Sequence, residues 1–149
     1  MEVLIIQPAS FLYFDAESTL RDLSTFHSVG EQLSKEAVAC KMRVCGALQW
    51  HYHSSKKATD PFRVDVALPV QSFPDGYDGI FHLKRTEAFK CVAGIHSGPW
   101  TALADTYRRV MDYVSAGQLE MSHYNREVYV AYDANNPSAN LTWVQVGIS

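Results

Sequence analysis

The chain of 149 residues is 47% apolar and 19% charged, with 13 basic against 16 acidic residues and a formal charge of -3. A chain of this size buries roughly 70% of its unfolded surface, enough for a stable core, and the composition excludes collagen-like, coiled-coil and disordered classes. No Lys/Arg cluster supplies a basic face, so direct nucleic-acid binding is not expected, and no stretch approaches the ~20 apolar residues of a membrane span.

Residues 1–6 open the chain with a short apolar run that reads as a first strand. Leu23, Phe26, Gly30, Leu33 and Ala37 mark a weak helix, and Gly30 lowers its propensity. Strands follow at 44–53 and Phe62–Val70, and a turn-rich joint at 72–79 separates two halves. The second half is clearer. Residues 81–96 carry strand character, and Ser97-Gly98-Pro99 starts a helix, where proline is tolerated in the first turn. Trp100, Leu103, Ala104, Tyr107, Val110, Met111 and Val114 keep the spacing of one buried stripe. Gly117 marks the stop. Alternating strands at 127–132 and Leu141–Ile148 flank the turn-rich 133–138. The three cysteines, Cys40, Cys45 and Cys91, form an odd set in a chain that shows no leader. They are read as reduced thiols of a soluble cytoplasmic protein, with Cys91 in the core.

The two halves repeat. A shift of 78 positions lays Phe89 on Phe11, Met111 on Leu33, Val144 on Val66 and Ile148 on Val70. Each half reads strand, helix, strand, strand, with repeats over about 1–71 and 79–149. The expected architecture is a single α+β domain over 1–149, a pseudo-twofold duplication with antiparallel sheets, helices on one side and a groove between the halves.

Period 2 assigns faces to the strands. Val144, Val146 and Ile148 form the apolar face of the last strand, so Trp143 and Gln145 point the other way. Val128 and Val130 oppose Glu127, Tyr129 and Ala131. The repeat maps Glu127 onto Gln49, Tyr129 onto His51 and Trp143 onto Asp65. The face turned from the helices is therefore expected to collect Gln49, His51, Asp65, Glu127, Tyr129 and Trp143. Such a mixture suits a small-molecule groove, and it also suits the wet face of an antiparallel sheet. His51 and His53 share a strand face with Asp65 beside them, but without a Cys pair or a helical His-Glu-x-x-His no metal site is expected. Cys40 and Cys45 lack the spacing of redox or zinc motifs. Trp100, Tyr107 and Tyr113 are expected to pack, with Tyr107 able to reach a pocket edge. Lys56-Lys57 reads as a solvated turn.

Val92-Ala93-Gly94-Ile95-His96-Ser97-Gly98-Pro99-Trp100, then Tyr107 and Tyr113, then Arg126-Glu127-Val128-Tyr129, then Leu141-Thr142-Trp143-Val144-Gln145-Val146 resembles the GyrI-like small-molecule-binding family. That family includes the effector-binding domains of AraC-type and multidrug-responsive regulators. The match is good over 85–148 and weak before residue 40. The resemblance implies duplicated halves and an aromatic-lined pocket with a buried acid in the pattern Glu-x-Tyr, here Glu127 and Tyr129. It also implies lipophilic, often cationic ligands. The family often carries a second acid in its closing strand, where this chain has Trp143, so cation selectivity would rest on Glu127. No helix-turn-helix segment is seen, so the chain is not expected to be a complete regulator of those types.

The leading expectation is a stand-alone binding protein for a lipophilic, cationic or aromatic small molecule, acting in sequestration or in a transcriptional or stress response. Glu127, Tyr129, Trp143, Gln49, His51, Asp65 and Tyr107 are the candidate ligand contacts, and no cofactor is expected. The resemblance also implies a hydrolase of strained, alkylating compounds of cyclopropanoid type, with Glu127 orienting or deprotonating water. A third variant is a protein-interaction module directed at gyrase or the transcription machinery. No Ser-His-Asp or Cys-His spacing suggests covalent catalysis.

Overall fold

A computed structural model describes residues 1–18, 28–53 and 62–149. Leu23 and Phe26 of the expected first helix, and the Lys56-Lys57 turn, lie outside the described residues. The strands are β1 (Glu2–Ile6), β2 (Ser10–Ser18), β3 (Gln49–His53), β4 (Phe62–Val70), β5 (His82–Arg85), β6 (Phe89–Ser97), β7 (Met121–Ala131) and β8 (Leu141–Ile148). The helices are α1 (Val29–Ala39) and α2 (Leu103–Ala116).

All strands form one antiparallel eight-stranded sheet in the order β1-β6-β8-β7-β3-β4-β2-β5. The order is palindromic: β5-β2-β4-β3 meets β7-β8-β6-β1 at the β3–β7 seam. Each half therefore reads strand, strand, helix, strand, strand, one strand more than the sequence pattern suggested. The run expected at 81–96 divides into β5 and β6. Of the 44–53 run only Gln49–His53 joins the sheet as a strand, with Val44 making an isolated bridge to Val70. The first strands are exchanged: β1 pairs with β6 of the second half and β5 with β2 of the first.

Both helices cover the same face. Leu33 and Ala37 of α1 pack with Leu12, Val64, Val66 and Leu68. Val110 and Val114 of α2 pack with Val92, Val144, Val146 and Ile148. The helical stripe is narrower than the spacing suggested, since Ala104 is exposed. Helix α2 is capped at Gly117, but Gln118 takes the left-handed turn (φ 54°). No helix among the described residues is long and apolar enough to cross a membrane.

The registers correct the expected faces. Val66 pairs with Trp50 on β3, as Val144 pairs with Glu127 on β7. With Val66 and Val144 as counterparts 78 apart, the counterpart of Glu127 is Trp50, 77 away, and not Gln49. A one-residue slip moves a side chain to the opposite face. Glu127 and Tyr129 therefore point toward the helices, with Trp50 and Tyr52. Gln49, His51, Asp65 and Trp143 point away from them, together with Arg126 and Gln145.

That second face is concave rather than wet. β2 and β7 are three strands apart, on the order of 14 Å in a flat sheet. Even so, the Phe11 ring lies 5.9 Å from the Arg126 guanidinium and 4.9 Å from the His51 ring. Curvature brings these strands' side chains together, and His51 and Asp65 are fully buried without helix cover.

Candidate functional site

The site is built around the Glu127 carboxylate on the helix-facing side of β7. Period 2 puts Tyr129 beside it, and across the β3–β7 seam Trp50 and Tyr52 share the same face. From above, the inner stripe of α2 aims Tyr107 at the sheet, and the short turn Trp100–Ala102 sets Trp100 at the rim.

Tyr107 donates to Glu127 Oε2 at 2.5 Å and Tyr129 to Oε1 at 2.8 Å. Tyr52 adds a third hydroxyl to the cluster. Rings form the walls: Trp50 meets Tyr129 edge-on at 6.1 Å, Trp100 lies 5.3 Å from Tyr129, and Phe62 lies 6.0 Å from Tyr52. Trp100 also stacks on the exposed Tyr132 at 4.9 Å and donates its indole N–H to Thr142 Oγ1. Aromatic rings thus lead from Glu127 to the surface.

Glu127 is buried, and no Lys, Arg or His of the described residues lies within ion-pair distance of it. Burial raises its carboxyl above the usual range, and the hydroxyls of Tyr107, Tyr129 and Tyr52 only partly oppose that. Burial, with the acid nearby, holds those three phenols well above their ordinary value. The tyrosines are therefore neutral donors, and among the described residues the buried acid has no counter-ion.

The concave side differs. Asp65 Oδ2 accepts from Lys84 at 2.7 Å, His53 at 3.2 Å and Arg63 at 3.2 Å. Burial pushes its carboxyl up, but these three donors outweigh burial and hold it well below the carboxylate range. Lys84 donates to His51 Nδ1 at 3.0 Å, which leaves the Nε2 hydrogen for Gln49 Oε1 at 2.8 Å. Burial, Lys84 and Arg126 keep His51 neutral. His51 and Asp65 thus meet the Lys84 ammonium while His53 meets Asp65, and no group of three His, Cys, Asp or Glu among the described residues is placed to hold a metal.

Of the expected contacts, the structure brings Glu127, Tyr129 and Tyr107 together. Gln49, His51 and Asp65 belong to the opposite face, and Trp143 packs there against Phe89, Cys91 and Ala93. Trp143 is therefore not a wall of the Glu127 site. Sequence reasoning missed Trp50 and Tyr52, which the correct offset between the halves would have placed beside Glu127. Trp100 was read as packing, and it packs at the rim. The three thiols are free; Cys91 is buried, and burial pushes it up to about 11. A separate cleft of about 540 Å3 lies over the end of β6 and the start of α2, lined by Ile95, His96, Thr106 and Arg109, and Glu127 does not line it.

No family model and no curated protein matches the chain. Solved structures do match in fold. The C-terminal domain of EcmrR is 17% identical with a TM-score of 0.84, covering 99% of this chain and 96% of that one. In the EcmrR–DNA complex the same fit covers 56% of the longer chain, so this chain spans about half of that protein. SAV2435 bound to tetraphenylphosphonium is 10% identical with a TM-score of 0.64, covering 99% and 93% of the two chains. A hydrolase from Listeria innocua is 15% identical with a TM-score of 0.61, covering 99% and 91%.

The sheet and its two same-side helices define the α+β architecture of these solved structures. The chain has the GyrI-like effector-binding fold.

Proposed function

We propose that the protein binds a lipophilic, cationic or aromatic small molecule at Glu127. The observation that carries this is a buried carboxylate with three tyrosine hydroxyls, aromatic walls and no cation of its own among the described residues. A delocalised cation of low hydration supplies the missing charge where water does not screen it, and stacking on Tyr129 or Trp100 adds ~0.5–2 kcal/mol. The hydroxyls occupy the carboxylate in the free protein, so Tyr107 and Tyr129 turn aside as the ligand enters. The SAV2435 structure with tetraphenylphosphonium supports this ligand class on the same fold. A role in sequestration or in a transcriptional response is part of this reading, the latter supported by EcmrR, which has been solved in complex with DNA, and the reading includes a cytoplasmic location, where free thiols stay reduced.

The test is a tryptophan-quenching titration with tetraphenylphosphonium and a neutral aromatic of similar shape, on wild type and Glu127→Gln. Saturable quenching by the cation that the substitution weakens at least tenfold is expected, with the neutral compound little changed. Equal weakening of both would overturn the charge argument.

The Tyr107–Glu127 hydrogen bond favours one second reading, a hydrolase. Glu127 would take a proton from water as its oxygen attacks an electrophilic carbon, while Tyr107 protonates the leaving group. Loss of turnover of an alkylating substrate in Tyr107→Phe, with binding retained, would select it.

A further inference from the structure

The concave face leaves one cation and one acceptor over. Arg126 is 2% exposed. Its Nε donates to the Tyr124 hydroxyl at 3.1 Å, and its guanidinium lies 4.4 Å from the Phe89 ring and 5.3 Å from the Tyr124 ring. Among the described residues no carboxylate lies within ion-pair distance of it, and its terminal amino groups meet no acceptor. Directly across the β7–β8 ladder stands Gln145, also 2% exposed, whose Oε1 is buried without a hydrogen-bond partner.

The neighbours offer no relief. Asp65, the nearby buried acid, is taken by Lys84, His53 and Arg63. Both ring nitrogens of His51, which flanks Arg126 on the other side, are bonded to Lys84 and Gln49. Contacts with aromatic faces offset part of the desolvation of a guanidinium, but they use its flat faces and leave its edge donors for a planar acceptor. A buried charge without a counter-ion and an orphaned buried carbonyl side by side are each unfavourable. One molecule that carries an anion next to a donor would satisfy both.

We propose that Arg126 and Gln145 form a second ligand site, on the opposite face of β7 from Glu127, for a small carboxylate bearing an adjacent hydroxyl or N–H. The carboxylate meets the amino edge of Arg126 in the bidentate geometry that guanidinium favours, and the donor meets Gln145 Oε1. Phe89 and Tyr124 wall the site. Its charge preference is the reverse of that at Glu127, so the two sites select different molecules.

The experiment is thermal unfolding of the full chain in sodium glycolate, acetate or chloride at constant ionic strength. Glycolate is expected to raise Tm saturably, by the linkage of binding to folding. Acetate, which lacks the donor for Gln145, is expected to need about tenfold higher concentration, and chloride to give no saturable shift. Arg126→Gln should abolish the glycolate response while near-ultraviolet dichroism shows a native fold. Gln145→Glu places a carboxylate opposite Arg126, so it should raise Tm without ligand and remove the response; this variant keeps the test decisive should Arg126→Gln not fold. Equal shifts with all three salts, no shift with glycolate, or a response that survives both substitutions would overturn the site.

Discussion

Two carboxylates are buried on opposite faces of one sheet, and their surroundings push them in opposite directions. Asp65 is met by an ammonium, a guanidinium and an imidazole and lies well below the ordinary carboxylate range. Glu127 is met by phenol hydroxyls, and burial holds it above that range. Burial acts on both; what differs is whether the chain supplies the counter-charge. The comparison teaches how to separate a structural acid from a functional one. The first is satisfied by its own fold, and the second, on the proposed reading, takes its partner from outside.

The sharpest way to break this contrast is to remove Asp65. Asp65→Asn leaves Lys84 and Arg63 facing a neutral amide, and unfolding in urea is expected to show a loss of about 3–5 kcal/mol, as when one partner of a buried pair is removed. The pH dependence has a definite sign. Because the folded carboxyl of Asp65 is depressed, its contribution is present above the unfolded value near 4 and is lost as pH falls through the folded value. Acid denaturation of wild type should therefore be steeper than that of the variant.

Next in size is Trp143→Ala. Trp143 packs with Phe89 and Ala93 on the concave side, so a loss of about 2–3 kcal/mol is expected, with tetraphenylphosphonium affinity unchanged within twofold. A loss of affinity with normal stability would return Trp143 to the ligand site.

Glu127→Gln should act the other way on stability. The raised folded carboxyl contributes stability below the unfolded value that is lost as pH rises through the folded one. At pH 7 the variant is therefore expected to be more stable than wild type, with the gap closing toward pH 4. Cation affinity of wild type should rise with pH over that window and be flat in the variant. Smallest is Tyr129→Phe. It deletes one hydroxyl from the carboxylate and keeps the ring, and a change of about 1 kcal/mol in unfolding is expected.

The duplication, the strands Phe62–Val70 and Leu141–Ile148, and the stripe of α2 were legible because each rests on local periodicity. Glu127 was singled out by its Glu-x-Tyr pattern. Its face was misassigned, because faces were transferred between halves through a gapless shift, and β7 carries a register shift between Tyr129 and Ala131 across which the offset between the halves changes from 77 to 78. Inside one strand the alternation of Glu127 and Val128 is plain, but both faces of this sheet are buried, so alternation alone does not say which face meets the helices. Trp50 and Tyr52 were lost with the same slip. The Asp65 cluster was half legible: His53 and Asp65 were joined, but Lys84 comes from β5, which the sequence ran together with β6. Arg126 and Gln145 gave no sign, because their relation is a ladder pairing and not a spacing.

The exchange of first strands has a consequence for how the chain assembles. Glu2 pairs with Ala93 and Ile6 with Phe89, so the opening segment waits for the second half to be made before it finds its place. Contacts this distant along the chain close slowly. Until then β6 presents a bare edge, with Val92 and Cys91 beside it, open to strands of other molecules. The same short segment that covers this edge thus becomes the outer strand of the finished sheet, and the two halves are clasped so that neither finishes folding alone.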